Sequence, residues 1–300
     1  MNGILVVDKP AGITSHDVVA RIRRALGTKR VGHAGTLDPP ATGVLLVGVG
    51  RATRLLRFVE SERKEYRAEI VFGVETSTQD GAGDVTARAD ASALTRDGVE
   101  KALRAFRGDI EQVPPMVSAV KVGGERLYRK ARRGEEVERA PRAVTVYAAE
   151  LEAFDPGAAP EGDTEGASGP TPGPTPRATV RIECSKGTYI RSIAADLGRA
   201  LGTGAHLGAL RRTRIGPFDE TAAIGLDDVT AQALLDMSEA VRGYPRRTVS
   251  AEDARAVVHG KVIPRAGLEG TYAIWGPDGL VAMAHDDEEG TRSLCVVVTG

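Results

Sequence analysis

The sequence predicts a mixed α/β (α+β) protein: a larger body in which strands and helices are interspersed, followed by a small β-rich tail. Three observations carry this reading. Strand-like segments, apolar or alternating, recur at 4–8, 44–49, 65–72, 143–154 and 178–184, and residues 205–218 lead into another strand. Helical stripes lie between them, with apolar residues three and four apart. From about Val249 the character changes to one short helix and then short strands joined by turn-rich segments. At 300 residues the chain suits one large domain, 1–247, and one small one, 248–300.

Taken in order, Ile4-Leu5-Val6-Val7 reads as a short buried strand. Thr14 or Ser15 can cap a helix that carries Val18, Val19, Ile22 and Leu26 on one face and ends at Gly27. Residues 44–49 are a second apolar strand, and 51–59 look helical. Over 65–72 the chain alternates, with Tyr66, Ala68, Ile70 and Phe72 on one face and Arg67 and Glu69 on the other. A Gly/Asp turn follows at 79–84, then an amphipathic helix at 96–107 through Val99, Leu103 and Phe106. Residues 121–142 form a charged, exposed insertion, with a short helix expected at 126–133. Residues 155–176, rich in Pro, Gly and Ala, are expected to be a mobile loop. The helix over 188–201 buries Ile190, Ile193, Ala194, Leu197 and Leu201, and further helices are expected at 226–242. The tail predicts a helix at 251–258 and strands at 271–275, 280–284 and 293–298.

Composition narrows the function. The net charge of −1 gives no bulk pull on a polyanion, so local distribution decides. Residues 121–142 hold eight Lys/Arg against four Glu, including Lys121, Arg126, Arg129, Lys130 and Arg132. Residues 199–214 hold Arg199, Arg211, Arg212 and Arg214 with no acid. Arg21, Arg23, Arg24, Lys29 and Arg30 make a third cluster. Basic stretches set apart from acidic ones suit a polyanion ligand. The two cysteines, Cys184 and Cys295, give neither a disulfide framework nor zinc spacing, and the five histidines show no metal spacing. No apolar run approaches a membrane span, and the opening run is too short for a signal peptide. A cytoplasmic location is expected.

The chemistry concentrates in Gly32-His33-Ala34-Gly35-Thr36-Leu37-Asp38-Pro39-Pro40-Ala41-Thr42-Gly43. Glycines and prolines crowd around one acid, Asp38, and the proline after it biases it toward extended geometry. A catalytic carboxylate needs such restraint, since misplacement by ~1 Å can cost ~100-fold in rate. His33, five residues upstream, is a candidate for substrate contact. Tyr66 offers a flat ring for stacking, and Arg191 a cation at a helix start that could keep Asp38 ionised. The stretch Gly202-Thr203-Gly204-Ala205-His206-Leu207-Gly208 has one residue too many for a dinucleotide fingerprint and follows a helix, so it reads as a turn.

Several segments together resemble the TruB-type tRNA pseudouridine-55 synthases. The opening Gly3-Ile4-Leu5-Val6-Val7-Asp8-Lys9-Pro10-Ala11-Gly12-Ile13-Thr14-Ser15 looks like their first motif, and residues 32–43 look like their catalytic loop. Lys64-Glu65-Tyr66, Thr76-Ser77-Thr78-Gln79-Asp80, Pro114-Pro115 through Ser118-Ala119-Val120-Lys121 with Tyr128 and Ala131-Arg132, and residues 184–191 continue the match in order. The resemblance covers about 2–218. It departs at Pro40, where many relatives have Leu or Met, and at Val117, where many have an aromatic.

The resemblance implies a pseudouridine-synthase fold with a long bent mixed sheet and central cleft, followed by a small PUA-like RNA-binding domain. It implies cofactor-free isomerisation of one uridine in the tRNA T loop. Asp38 matches the nucleophile, Tyr66 the ring that stacks on the base, and Arg191 the partner of the carboxylate. Tyr189 and Leu210 match base-pocket positions, and His33 matches a residue that fills the gap left by the extruded base. A monomer with no obligate protein partner is expected. Two other classes remain open: a non-catalytic RNA binder or tRNA folding factor, and a glycoside or nucleoside hydrolase, which usually wants two placed carboxylates.

Overall fold

The computed structural model describes residues 1–60, 62–116, 118, 121–122, 124–127, 133, 135, 137–157 and 175–298. Its contacts divide the chain into two units, 1–62 with 214–300, and 63–213. The fold is mixed α+β.

In the first unit, β1 (Gly3–Lys9) pairs antiparallel with β3 (Thr42–Val49) along its whole length, Gly3 opposite Val49 and Lys9 opposite Gly43. Between them lie α1 (Ser15–Ala25) and the short strand β2 (Val31–Ala34), which also pairs with β3. Thr14 caps α1 through a reciprocal bond pattern with Asp17, which satisfies two N-terminal amides. A 3-10 turn and α2 (Leu56–Glu60) follow.

The second unit opens with β4 (Lys64–Phe72), whose Tyr66, Ala68, Ile70 and Phe72 are buried, as the alternation predicts. A hairpin of β5 (Val74–Thr76) and β6 (Val85–Arg88) follows, then α3 (Arg96–Arg104) and β7 (Gly108–Gln112). The basic insertion contains a two-residue ladder, β8 (Lys121–Val122) with β9 (Glu125–Arg126). The helix expected over 126–133 and the loop at 155–176 fall largely outside the described residues. Long strands β10 (Arg142–Asp155) and β11 (Arg177–Cys184) lead to α4 (Ile190–Ala200) and β12 (Ala205–Ile215). The strand order is β12-β4-β11-β10-β7. The side chains of β4, β11 and β10 on one face form cross-strand ion pairs: Arg67 with Glu152, Arg177 with Glu69, and Arg181 with both Glu65 and Glu150.

The last two residues of β12 return the chain to the first unit, where β13 (Phe218–Asp219) pairs with them. The helices expected at 226–242 are short 3-10 turns instead, at Leu226–Asp228 and Met237–Val241. The reason is backbone pairing: Ile224 bridges to Val7 and Leu235 to Ile4, so the segment lies extended along β1. Then β14 (Arg246–Thr248), α5 (Ala251–Val258), β15 (Thr271–Gly276), β16 (Gly279–Asp286) and β17 (Thr291–Val296) complete the chain. The four strands form one sheet in the order β14-β15-β16-β17. This sheet shares a core with the N-terminal strands. Ala273, Leu280, Met283 and Val297 cluster with Ile4, Val6, Val44, Leu46, Leu55 and Phe58. Arg54 donates to the Val296 carbonyl at 2.8 Å, and Arg57 donates to that of Leu294, on the edge strand. No helix among the described residues is long and apolar enough to cross a membrane.

Candidate active site

Asp38 sits in the connection between β2 and β3, half-buried, with Thr36, Pro39 and Pro40 exposed around it. Two glycines there have positive φ, Gly35 at 69° and Gly43 at 98°, which permits the chain to reverse. Gly32 serves differently: a Cβ there would lie 3.3 Å from the Leu56 side chain, so its smallness matters rather than its φ. His33 is not in a loop, as the sequence suggests, but in β2, opposite Val47.

The loop is gripped from beneath by main-chain and buried groups. Leu37 is buried, its N–H donates to Ser15 Oγ at 3.0 Å, and its carbonyl accepts from the same hydroxyl at 3.1 Å. The wholly buried Lys9 donates to the carbonyls of Ala41 (2.7 Å), Pro10 (2.9 Å) and Pro39 (3.2 Å). An ammonium has three N–H donors, so this cage offsets a desolvation cost that would otherwise exclude a buried lysine. Gly12 N–H reaches the Pro39 carbonyl at 2.8 Å, and Ala41 N–H closes a turn onto the Asp38 carbonyl at 3.0 Å. Beside the loop, the His16 ring meets the His33 ring edge-on, centroids 5.2 Å apart at 84°.

The second unit holds the remaining predicted residues. Tyr66 lies opposite Ile182 on the buried face of β4 and is 8% exposed. Tyr189 is the N-cap of α4, and Arg191 stands two positions later, 6% exposed. One guanidinium nitrogen of Arg191 donates to the Thr78 carbonyl at 3.1 Å and lies 3.5 Å from Asp80 Oδ2. Asp80 is itself held by Thr78 Oγ at 2.5 Å and by the Ala82 amide at 3.1 Å. Gln79, in the same turn, is the one non-glycine residue with positive φ among the described residues (62°). Its carbonyl accepts from the Leu207 amide at 3.0 Å, tying the turn to β12. Leu210 lies on β12, half-buried.

The basic candidates divide. Lys121 and Arg126 fall on β8 and β9, while Arg129, Lys130 and Arg132 lie outside the described residues. Arg211 is half-buried, but Arg212 is wholly buried, so its side chain does not face a phosphate from the surface. Nearby in sequence, Arg133 grips Glu125 with two nitrogens, at 2.8 and 2.9 Å, and also bonds Glu135. Among the described residues no cluster of His, Cys, Asp and Glu could hold a metal ion. Burial pushes the Cys184 thiol up to about 11, which makes it a poor nucleophile. Sequence reasoning gave no part to Lys9 or Asp80, although both stand inside the quoted motifs.

Residues 23–190 match the N-terminal domain of the TruB family of pseudouridylate synthases. The chain belongs to this TruB family. Residues 191–253 match the tRNA pseudouridylate synthase B C-terminal domain, and 244–298 match the tRNA pseudouridine synthase II C-terminal region. The chain is 46% identical over 301 residues to tRNA pseudouridine synthase B of Thermobifida fusca, covering 100% of this chain and 99% of that one. It is 53% identical over 262 residues to the same enzyme of Symbiobacterium thermophilum, covering 87% and 82%. Among solved structures it is similar to an archaeal box H/ACA Nop10–Cbf5 complex, with a TM-score of 0.69 at 26% identity, covering 99% of this chain and 86% of that one. An H/ACA particle bound to a substrate RNA containing 2′-deoxyuridine aligns with a TM-score of 0.68 at 26% identity, covering 99% and 83%. This TruB-family chain is therefore a pseudouridine synthase with the pseudouridine-synthase fold.

Proposed function

We propose that this TruB-family enzyme converts uridine to pseudouridine at position 55, in the T loop of tRNA, with Asp38 as nucleophile. The observation that carries the reading is the half-buried carboxylate on a loop fixed by Lys9, Ser15 and Gly12. The reaction breaks C1′–N1 and forms C1′–C5. One proton leaves C5 and one reaches N1, so electrons balance without oxidant, reductant or cofactor. The uridine must leave the stack, at a cost of a few kcal/mol. Stacking on Tyr66 offsets ~1–3 kcal/mol of this.

In this proposal Arg191 acts as the partner of the Asp38 carboxylate in the RNA-bound enzyme, Tyr189 and Leu210 line the base, and His33 fills the space the base vacates. Basic residues, Lys121, Arg126, Arg129, Lys130, Arg132 and Arg211 among them, hold phosphates and set register. Residues 1–247 carry catalysis and 248–300 act as a PUA-like RNA-binding domain. The enzyme works as a cytoplasmic monomer.

The test is direct. The protein is incubated with an unmodified T-arm stem-loop, and pseudouridine is mapped by position. One pseudouridine at position 55 is expected. Tight binding with every uridine unchanged would leave a tRNA folding factor, and modification elsewhere would assign a different RNA.

A further inference from the structure

Helix α4 starts without a cap of its own. Tyr189 occupies the N-cap position, and its side chain makes no capping bond. The missing partner comes from the end of β7. The side-chain amide of Gln112, 2% exposed, lies against the main chain of Tyr189. The Tyr189 N–H donates to Gln112 Oε1 at 2.9 Å, and Gln112 Nε2 donates to the Tyr189 carbonyl at 3.3 Å. That carbonyl also accepts the first helical amide, from Ile193, at 3.2 Å. One residue beyond Gln112, the Val113 carbonyl lies 3.5 Å from Ser192 Oγ. A primary amide presents a donor and an acceptor side by side, so it pairs with one residue's N–H and C=O as a neighbouring strand would.

We infer that Gln112 is a positioning residue for the reaction: it fixes the N-cap of α4 and thereby the placement of Arg191. The inference rests on the proposed role of that residue. A helix N-terminus has unsatisfied amides and frays unless something holds it. Arg191 is only two residues from that end, with its guanidinium already committed to Thr78 and Asp80. A shift of the first turn therefore moves the guanidinium against a fixed loop. No other side chain among the described residues bonds both main-chain groups of Tyr189.

The experiment compares wild type, Gln112→Met, Arg191→Lys and the double variant by single-turnover rate and RNA affinity on a T-arm stem-loop. Gln112→Met keeps length and loses both bonds. Its rate falls about 10- to 100-fold while Kd for the RNA changes less than about threefold. In the Arg191→Lys background the same change costs less than about twofold, because the residue acted through the lost guanidinium. A merely structural glutamine gives losses that multiply in the double variant, and that result overturns the inference. If Gln112→Met does not fold, Gln112→Asn replaces it, one methylene too short to span the same gap. A wild-type rate in the variant also overturns the inference. A wild-type protein that makes no pseudouridine sinks the proposed function instead, so the two failures are distinct.

Discussion

The ammonium of Lys9 lies 2.7 Å from the carbonyl oxygen of Ala41, 32 residues further along the chain. This bond and its two companions join the end of β1 to the loop that carries Asp38. A charge is thus buried to hold a main chain in place.

Lys9→Met should remove that cage and take its donor from the buried Ala41 carbonyl beneath the loop. A buried orphan carbonyl costs about 1–3 kcal/mol, so a loss of that order in urea unfolding is expected. Turnover should fall by more than the stability loss explains, because the Asp38 loop loosens. A variant as stable and active as wild type would contradict this account.

Asp38→Asn should leave the fold unchanged, since the turn bond from the Ala41 amide goes to the main-chain carbonyl of residue 38, which the substitution keeps. RNA affinity should stay within about threefold while pseudouridine formation stops, the split expected when a group acts only in the transition state. Residual turnover near wild type, measured with the melting temperature alongside, would remove Asp38 from the mechanism.

Asp80→Ala should take one anionic partner from Arg191 while leaving the Thr78 carbonyl. A loss of about 100-fold in rate is expected, from a guanidinium displaced by ~1 Å. Arg191→Lys should be similarly impaired, because an ammonium cannot reproduce a planar fork. Single-turnover rates with matched affinities provide the check.

These predictions use residues of unequal legibility. The alternation in β4 is visible in sequence because one face is buried and the other wet, and Tyr66 falls on the buried face as expected. The Thr14 cap and the stripe of α4 are visible for the same local reason. His33 is not legible as a strand residue, because glycines on both sides mask β2. The apolar spacing at 226–242 imitates helices, but pairing to β1 overrides it. The carbonyls that cage Lys9 include two that lie 30 and 32 residues away, so in sequence a buried basic residue such as Lys9 or Arg212 looks the same as one outside. β14 is three residues, two of them arginine, and only its pairing with β15 makes it a strand.

Acid should loosen the C-terminal sheet first around Asp286. Burial pushes this carboxyl up, but donors from Thr291, Tyr272, Ala266 and Gly267 outweigh it and hold the group well below the usual carboxylate range. A depressed folded pKa gives stability that is complete above the unfolded value, about 3.9, and is lost as pH falls below it. The single tryptophan, Trp275 on β15, lies under Arg246 and reports the event by fluorescence. Asp286→Asn should flatten this acid response, and an unchanged profile would assign it elsewhere.

A chain ending at residue 247 should be poorly soluble. It would strip Ala273, Leu280, Met283 and Val297 from a cluster that also contains Ile4, Val6 and Leu46. Exposed apolar surface of that kind favours aggregation. A monodisperse truncated protein with native melting would show that the N-terminal strands do without this cover.

The ion-pair ladder across β4, β11 and β10 has an effect on how RNA affinity responds to ionic strength. Arg67, Arg177 and Arg181 already face Glu152, Glu69, Glu65 and Glu150, so a phosphate gains little there without displacing a carboxylate. Each new phosphate contact releases about 0.7–0.9 counterion. The slope of log affinity against log salt therefore counts only cations not neutralised in place, and it should fall far below the 40 Lys and Arg in the chain.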